Sequence, residues 1–416
     1  MPERIPLREY ETVAVSPAQT QNMKRGAALL DSQLRPSIQQ FRTDGQSVSF
    51  GNVVGSFSLP NGDVIQVAPK IAAGDWTTAI VHLLSEDTRL AVTGSQQSRP
   101  SARRDDLTAA LALEYARRLE RAIRQDGPMQ VYERRHETGR RWRGRLDVTE
   151  WARRSALDPA RFPMGFDELS VVNDFTRGLS VVAGLLGRSA AGSETASRLR
   201  RLQNEVIPGS PIPSFVNRSI SRRRMPTQWA AYAPAWDIAA PILRSQSVVG
   251  DPGRATGLEV AVEPWRMLET YLERALHALV ASEDGVYVQP KLTYPLLSEL
   301  KPASAPAVAG FPKSVEPDGL LIDDDGHAVA TFEAKYSNRP KREHVFQALA
   351  TAAALASPLA VLLYPWREEP RVLDVAGFHS SPSTLVAVGV GLFEYRRGRS
   401  DRKLAATIGE LLRPIG

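Results

Sequence analysis

The sequence predicts a mixed α/β protein, α+β overall, that ends in a mixed sheet flanked by helices. Three observations predict it. The first 72 residues hold β-type apolar runs around a strong turn signal. Apolar residues then recur at helical spacing from Asp105 onward. From Val262 a helical pattern gives way to short apolar runs bounded by turns, which is the order of an α/β domain.

At 416 residues the chain exceeds what one compact core holds, and its pattern divides it at 1–160, 161–255 and 256–416. In the first segment Ser47 to Phe57 carries Val48, Phe50, Val53 and Val54. Pro60-Asn61-Gly62-Asp63 then turns the chain into Val64-Ile65-Gln66-Val67-Ala68, so a hairpin is expected. Asp105 to Gln125 predicts a helix with Leu107, Leu111, Tyr115, Leu119 and Ile123 on one face, stopped by Gly127-Pro128. Residues 165–206 predict two further helices broken at Ser189 to Gly192. Residues 208–256, rich in Pro, Gly, Ser and Arg, predict an irregular connector rather than a core. The last segment opens on a helix carrying Met267, Leu268, Tyr271, Leu272, Ala275, Leu276 and Leu279. Strands are expected at Val286–Gln289, Gly319–Ile322, Ala328–Phe332, Leu359–Tyr364 and Leu385–Val390, with a helix over Arg342–Ala356.

Composition narrows the chemistry. With no cysteine, the chain has no disulfide, thiolate metal site or cysteine nucleophile, and it suits a reducing cytoplasm. Its six histidines show no zinc-ligand spacing. No run of about 18 apolar residues and no apolar leader occur, so a soluble intracellular protein away from membranes is expected. The net charge is +6, and arginine dominates its clusters: Arg134, Arg135, Arg140, Arg141, Arg143 and Arg145; Arg222 to Arg224; and Arg396, Arg397, Arg399 and Arg402 with Lys403. Guanidinium forks suit phosphate, although such runs also serve as solvated faces.

The most informative constellation is Glu316-Pro317-Asp318 followed by Glu333-Ala334-Lys335. Between them lie Gly319–Ile322, the acidic turn Asp323-Asp324-Asp325-Gly326 and the strand from Ala328. A hairpin of that length returns Glu333 beside Asp318, and strand alternation puts Glu333 and Lys335 on one face. The three are expected at one sheet edge, with Glu316 facing solvent. Two carboxylates and an ammonium form a hard-oxygen site for Mg²⁺, with Mn²⁺ as the substitute. Phosphodiester hydrolysis is the reaction such a trio suits, with Asp318 and Glu333 as metal ligands and Lys335 stabilising the pentacoordinate phosphate. Glu269, on the preceding helix, could complete the metal shell through water or pair with Arg266 or Arg274. Tyr287, Trp265 and Trp366 read as packing residues, and His344 as a solvent-facing helical residue.

Pro317-Asp318 with Glu333-Ala334-Lys335-Tyr336 resembles the PD-(D/E)XK nuclease superfamily and, more narrowly, the McrC family of nuclease subunits in McrBC modified-cytosine restriction systems. Further segments resemble that family in order. They are Leu59 to Ile71, Arg143-Gly144-Arg145-Leu146-Asp147-Val148, Phe166 to Ser170 with Asn173-Asp174, and Leu268-Glu269-Thr270-Tyr271-Leu272. Gln347 stands on the helix after the active strand, where the family also has Gln. The family usually has Asp where Glu333 stands and often Lys where Ser337 stands; residues 1–45 match nothing. The resemblance implies a restriction-endonuclease-like domain over 256–416 and a partner-binding domain over 1–160, joined by the helical segment and connector 161–255. It implies catalytic roles for Asp318, Glu333, Lys335, Glu269 and Gln347, and cleavage of double-stranded DNA. It also implies a separate AAA+ NTPase partner using GTP or ATP, engaged through the N-terminal region; this chain has no Gly-x-x-x-x-Gly-Lys-Ser/Thr loop of its own. Arg143 and Arg145 could contact either that partner or DNA phosphates. The competing reading is a catalytically silent DNA-binding scaffold, or a regulator of the partner.

Overall fold

Chain segments far apart in sequence come together to build the unit that carries the predicted nuclease residues. The computed structural model describes residues 3–34, 41–71, 75–95, 106–190, 194–213, 216–245, 257–296, 314–376 and 382–413. The chain forms two compact units: one joins Glu3–Leu84 to Ala261–Gly416, and the other is the intervening Ser85–Val260. The segments read from the sequence follow chain order instead, with divisions at 160 and 255. Contacts cross that order because Ala261 and Val262 pair with Gly55 and Val54 of the N-terminal hairpin.

In the first unit the expected hairpin forms from Val54–Ser58 and Val64–Ala68, antiparallel with Ser58 opposite Val64. Asn61 Nδ2 donates to Asp63 Oδ2 at 2.6 Å, and Gly62 takes φ 90°, a conformation that its missing Cβ permits. Strand Arg4–Arg8 lies parallel to Val64–Ala68. The β-rich reading of this region omitted a helix, Pro17–Gln33. Ser16 and Gln19 cap it reciprocally, Pro17 starts it, and Met23, Gly26, Ala27 and Leu30 form its buried stripe. The polar residues around that narrow stripe hide its period. A Cβ on Gly26 would meet Leu59 Cδ2 at 2.5 Å, so the helix seats on the hairpin at a residue without a side chain.

The unit also holds a six-stranded mixed sheet with helices. Its strands run, in spatial order, Tyr287–Val288, Gly319–Ile322, Ala328–Ala334, Leu359–Tyr364, Thr384–Gly389 and Arg371–Asp374. Gly319–Ile322 and Ala328–Ala334 are antiparallel neighbours. Ala328–Ala334, Leu359–Tyr364 and Thr384–Gly389 are parallel. Helix Arg342–Ala354 makes the crossover between the first two of these, as parallel pairing requires. Every residue of Leu359–Tyr364 is buried, which explains its unbroken apolar sequence. Helix Pro264–Val280 buries the seven apolar residues expected of it, together with Pro264. It packs on Arg399–Leu412 and on Trp76–Leu83.

In the second unit helix Leu107–Asp126 is capped by Asp106; Asp105, where the prediction began, lies outside the described residues. Two of the sequence expectations need correction. Residues 162–170 form a strand, not a helix: Phe162–Ser170 pairs antiparallel with Val131–Gly139 and with Arg145–Leu146. The helices begin later, at Asp174–Ser189 and Glu194–Glu205. The supposed connector 208–256 contains helix Ala233–Ser245, with Trp236 only 1% exposed. Trp236 packs edge-on against Phe175 at 5.1 Å and donates Nε1–H to the Arg223 carbonyl. Pro density suggested irregular chain, but burial of Ile238, Ala239, Ile242 and Leu243 holds the helix despite Pro241. Among the described residues no helix is long and apolar enough to cross a membrane.

Candidate active site

The hairpin places Asp318 as the sequence spacing requires. Asp318 N donates to Phe332 O at 3.0 Å, and its Oδ2 accepts the Ala334 N–H at 2.8 Å. Asp318 therefore sits at the start of one strand, across from Glu333 near the end of the next. The neighbouring Leu359–Tyr364 strand pairs with the other side of Ala328–Ala334. The trio thus stands at the strand ends of the sheet interior; the expected sheet-edge position is corrected by that second partner.

Glu333 is 2% exposed, and both of its carboxylate oxygens accept hydrogen bonds. Its Oε2 accepts from Lys335 Nζ at 2.8 Å and Gln347 Nε2 at 2.9 Å, and its Oε1 accepts from Thr351 Oγ1 at 3.1 Å. The Lys335 contact shows the two side chains sharing a face, as alternation demands. Gln347 and Thr351 stand one helical turn apart on Arg342–Ala354 and fix the carboxylate from both sides. The main chain of Lys335 donates to Leu363 O at 2.8 Å, tying it to the buried strand.

Glu269 comes from helix Pro264–Val280. Its Oε2 accepts from Arg266 Nη1 and from Lys291 Nζ, both at 2.8 Å. Lys291 Nζ also lies 3.4 Å from Asp318 Oδ1 and so bridges the two carboxylates. Burial first, and then the charges of Glu269 and Glu333, push Asp318 up to about 6. Burial opposes the charge on Lys291, but its hydrogen bonds to Glu269 and Asp318 and their charges win and raise it.

Glu269, Asp318, Glu333, Lys335 and Gln347 thus converge. Glu316 is exposed, as expected. Arg143 and Arg145 belong to the second unit, exposed on and beside the strand Arg145–Leu146. Sequence reading missed Lys291 and Thr351. Thr351 was detectable as one turn beyond Gln347, whereas Lys291 needs the pairing of Tyr287–Val288 with Leu321–Ile322 to arrive. Trp366 packs as expected, stacked on Tyr364 at 4.3 Å. Tyr287 instead is 51% exposed, with its hydroxyl donated to Asp324. His344 is half-buried, not solvent-facing, and its Nδ1 lies 3.2 Å from the Tyr364 hydroxyl.

The donor set fits a small hard cation. All candidate ligand atoms are carboxylate oxygens, the donors such a cation takes, and burial first, then the charges of Glu269 and Glu333, raise Asp318. An ammonium already bridges two of them, so the space between Glu269 and Asp318 accepts a cation.

A family model described as a component of the McrBC 5-methylcytosine restriction system matches residues 48–365. Among solved structures, the chain is similar to one from the refined half-complex of the tetradecameric assembly of Thermococcus gammatolerans McrB AAA+ hexamers with bound McrC. The identity is 12%, the TM-score 0.58, and the match covers 98% of this chain and 100% of that one. A cryo-EM structure of the Thermococcus gammatolerans McrBC complex matches 68% of this chain and 89% of that one, at 14% identity and a TM-score of 0.44. At 12% identity the first of these likenesses concerns the fold alone. No curated protein sequence matches.

Proposed function

Because that model spans residues 48–365, the chain belongs to the McrBC 5-methylcytosine restriction system component family, and from this we propose that it is the Mg²⁺-dependent DNA endonuclease subunit of such a system. Its activator would be a separate AAA+ NTPase using GTP or ATP, engaged through the N-terminal region, with double-stranded DNA as substrate. The partner reading is supported by the similar assembly, which holds McrB AAA+ hexamers with bound McrC, and by the lack of any P-loop sequence here. Arg143 and Arg145 are available to that partner or to DNA.

The convergence of Asp318, Glu333 and Lys335 carries the proposal. Asp318 and Glu333 would hold Mg²⁺ (or Mn²⁺), with Glu269 closing the shell through water. Bound there, the ion would supply an activated water and neutralise charge on the phosphate. Lys335, held by Glu333 at 2.8 Å, keeps a fixed ammonium where negative charge develops on the phosphoryl oxygens. Gln347 and Thr351 hold the Glu333 carboxylate in one rotamer, so the ligand geometry is set before substrate arrives.

The test is Mg²⁺-dependent digestion of modified DNA with the AAA+ partner and nucleotide, comparing wild type with Asp318→Ala and Lys335→Ala. Each variant should lose about 10²–10³-fold in cleavage rate while partner binding and nucleotide turnover persist. Equal cleavage by all three proteins would overturn the proposal in favour of a catalytically silent scaffold.

A further inference from the structure

A cavity of about 1010 Å³ opens beside the candidate active site within the same unit, between the N-terminal strands and the segment that follows Lys335. Arg8, Arg42, Lys70 and Lys341 bring four basic side chains to it, Tyr336 and His344 form part of the wall, and Glu9 and Glu11 are the acids present. Both acids are engaged by main-chain donors. Glu9 is 2% exposed, and its Oε1 takes the Asn52 N–H while its Oε2 takes the Tyr336 hydroxyl and the Lys70 N–H. Glu11 Oε2 accepts the Arg8 N–H at 2.8 Å. Among the described residues, none forms an ion pair with the side chains of Arg42 or Lys341, and both are exposed. The cavity is therefore a cationic concavity whose carboxylates are partly spent.

We propose that this cavity binds the phosphodiester backbone of the DNA strand next to the bond being cut, so that Arg42, Lys70 and Lys341 extend the nuclease cleft onto the N-terminal segment. The inference rests on the nuclease reading of Asp318, Glu333 and Lys335. Continuity with that site is covalent: Tyr336 and Ser337 line the cavity and directly follow Lys335. It is electrostatic as well, since burial first, and then the charges of Lys335 and Lys341, lower His344. The wall is fixed. Lys70 Nζ donates to the Tyr336 carbonyl at 3.0 Å and sits 4.2 Å from the Tyr336 ring centre and 4.7 Å from that of Tyr10. The ammonium covers one face of each ring, which leaves a base less to stack on. A polyanionic backbone fits the exposed guanidinium and ammonium groups better than a nucleobase does.

The experiment measures binding of a short dye-labelled duplex to the full-length chain by fluorescence anisotropy, in EDTA and across a salt series. The Arg42→Ala/Lys341→Ala double variant changes two exposed side chains and is checked for a wild-type melting curve. It should weaken binding about tenfold at low salt and reduce the slope of log K against log salt by about two, since each phosphate contact contributes about 0.9. Arg371→Ala, on the outermost strand of the six-stranded sheet, should bind like wild type. Unchanged affinity and slope in the double variant would overturn the cavity proposal. So would unchanged DNA binding with lost stimulation of the AAA+ partner, which would make the cavity a protein-docking surface. Digestion by Asp318→Ala keeps the two readings apart. If that variant is inactive while the double variant binds normally, the nuclease reading stands alone; if it cleaves like wild type, the nuclease reading fails whatever the binding shows.

Discussion

Lys291 holds Glu269 and Asp318 together in the way a divalent cation would, but with one charge and no coordination shell. A metal entering between those carboxylates must displace its ammonium or share their oxygens with it. Lys291→Met should therefore tighten Mn²⁺ binding, followed through the electron paramagnetic resonance of the free ion, by a factor of about five. That corresponds to an ion pair of its exposure being worth on the order of 1 kcal/mol. Weaker Mn²⁺ binding would show instead that Lys291 supports the metal site. The contrast with Lys335 explains what sequence could reveal at this scale. Glu333 and Lys335 are two residues apart on one strand, so alternation alone aligns them. Asp318 follows from one hairpin. Lys291 reaches the same place only through a two-residue strand, Tyr287–Val288, too short to fix a register by pattern.

Among the elements, those with strong periodicity or continuous burial were readable: Gly319–Ile322, Leu359–Tyr364 and the helix of Met267 to Leu279 lie where the pattern puts them. Those that failed have their signal outside themselves. Strand Phe162–Ser170 does not alternate, because Pro163 to Gly165 are buried in a row and Asp167 to Leu169 exposed in a row, and pairing with Val131–Gly139 holds it. Helix Ala233–Ser245 forms in a Pro-rich stretch because its partners bury it. The strand Arg4–Arg8 ends in an unforeseen anchor. Glu9 follows it directly and receives the Tyr336 hydroxyl at 2.8 Å, binding the start of the chain to the residue after Lys335. Burial outweighs Lys70 and the hydrogen bonds, so Glu9 is raised above the usual 4.5. The folded chain then retains its proton to higher pH than the unfolded one. This group's contribution is complete below the unfolded value and lost as pH rises through the folded value. Glu9→Gln should flatten that fall in urea-unfolding midpoint with rising pH. A midpoint profile parallel to wild type would show that Glu9 titrates normally.

On the scale of the whole molecule, the unit bearing the candidate active site is assembled from both ends of the described chain. Helix Trp76–Leu83 buries Ala79, Ile80, Val81 and Leu83, and Arg274 donates to the carbonyls of His82 and Leu84 at 2.7 and 2.9 Å. Residues 257–416 expressed alone lose all of these contacts and expose the apolar face beneath them. That fragment should melt without cooperativity and bind a hydrophobic dye, whereas full-length protein should not; a sharp transition in the fragment would refute the assignment of residues 3–84 to this unit. The discontinuity was hidden from the sequence because no local pattern records which distant strand Ala261 and Val262 will join. It also sets a timetable for synthesis. The N-terminal hairpin leaves the ribosome before the strands of Asp318 and Glu333 exist, and Ser85–Val260 must be translated in between. At about 5–20 residues per second this is a wait on the order of 10–35 s. A chain still in synthesis therefore holds Glu3–Leu84 without the partner strands that complete their unit, and the candidate site closes only when the far end has been made.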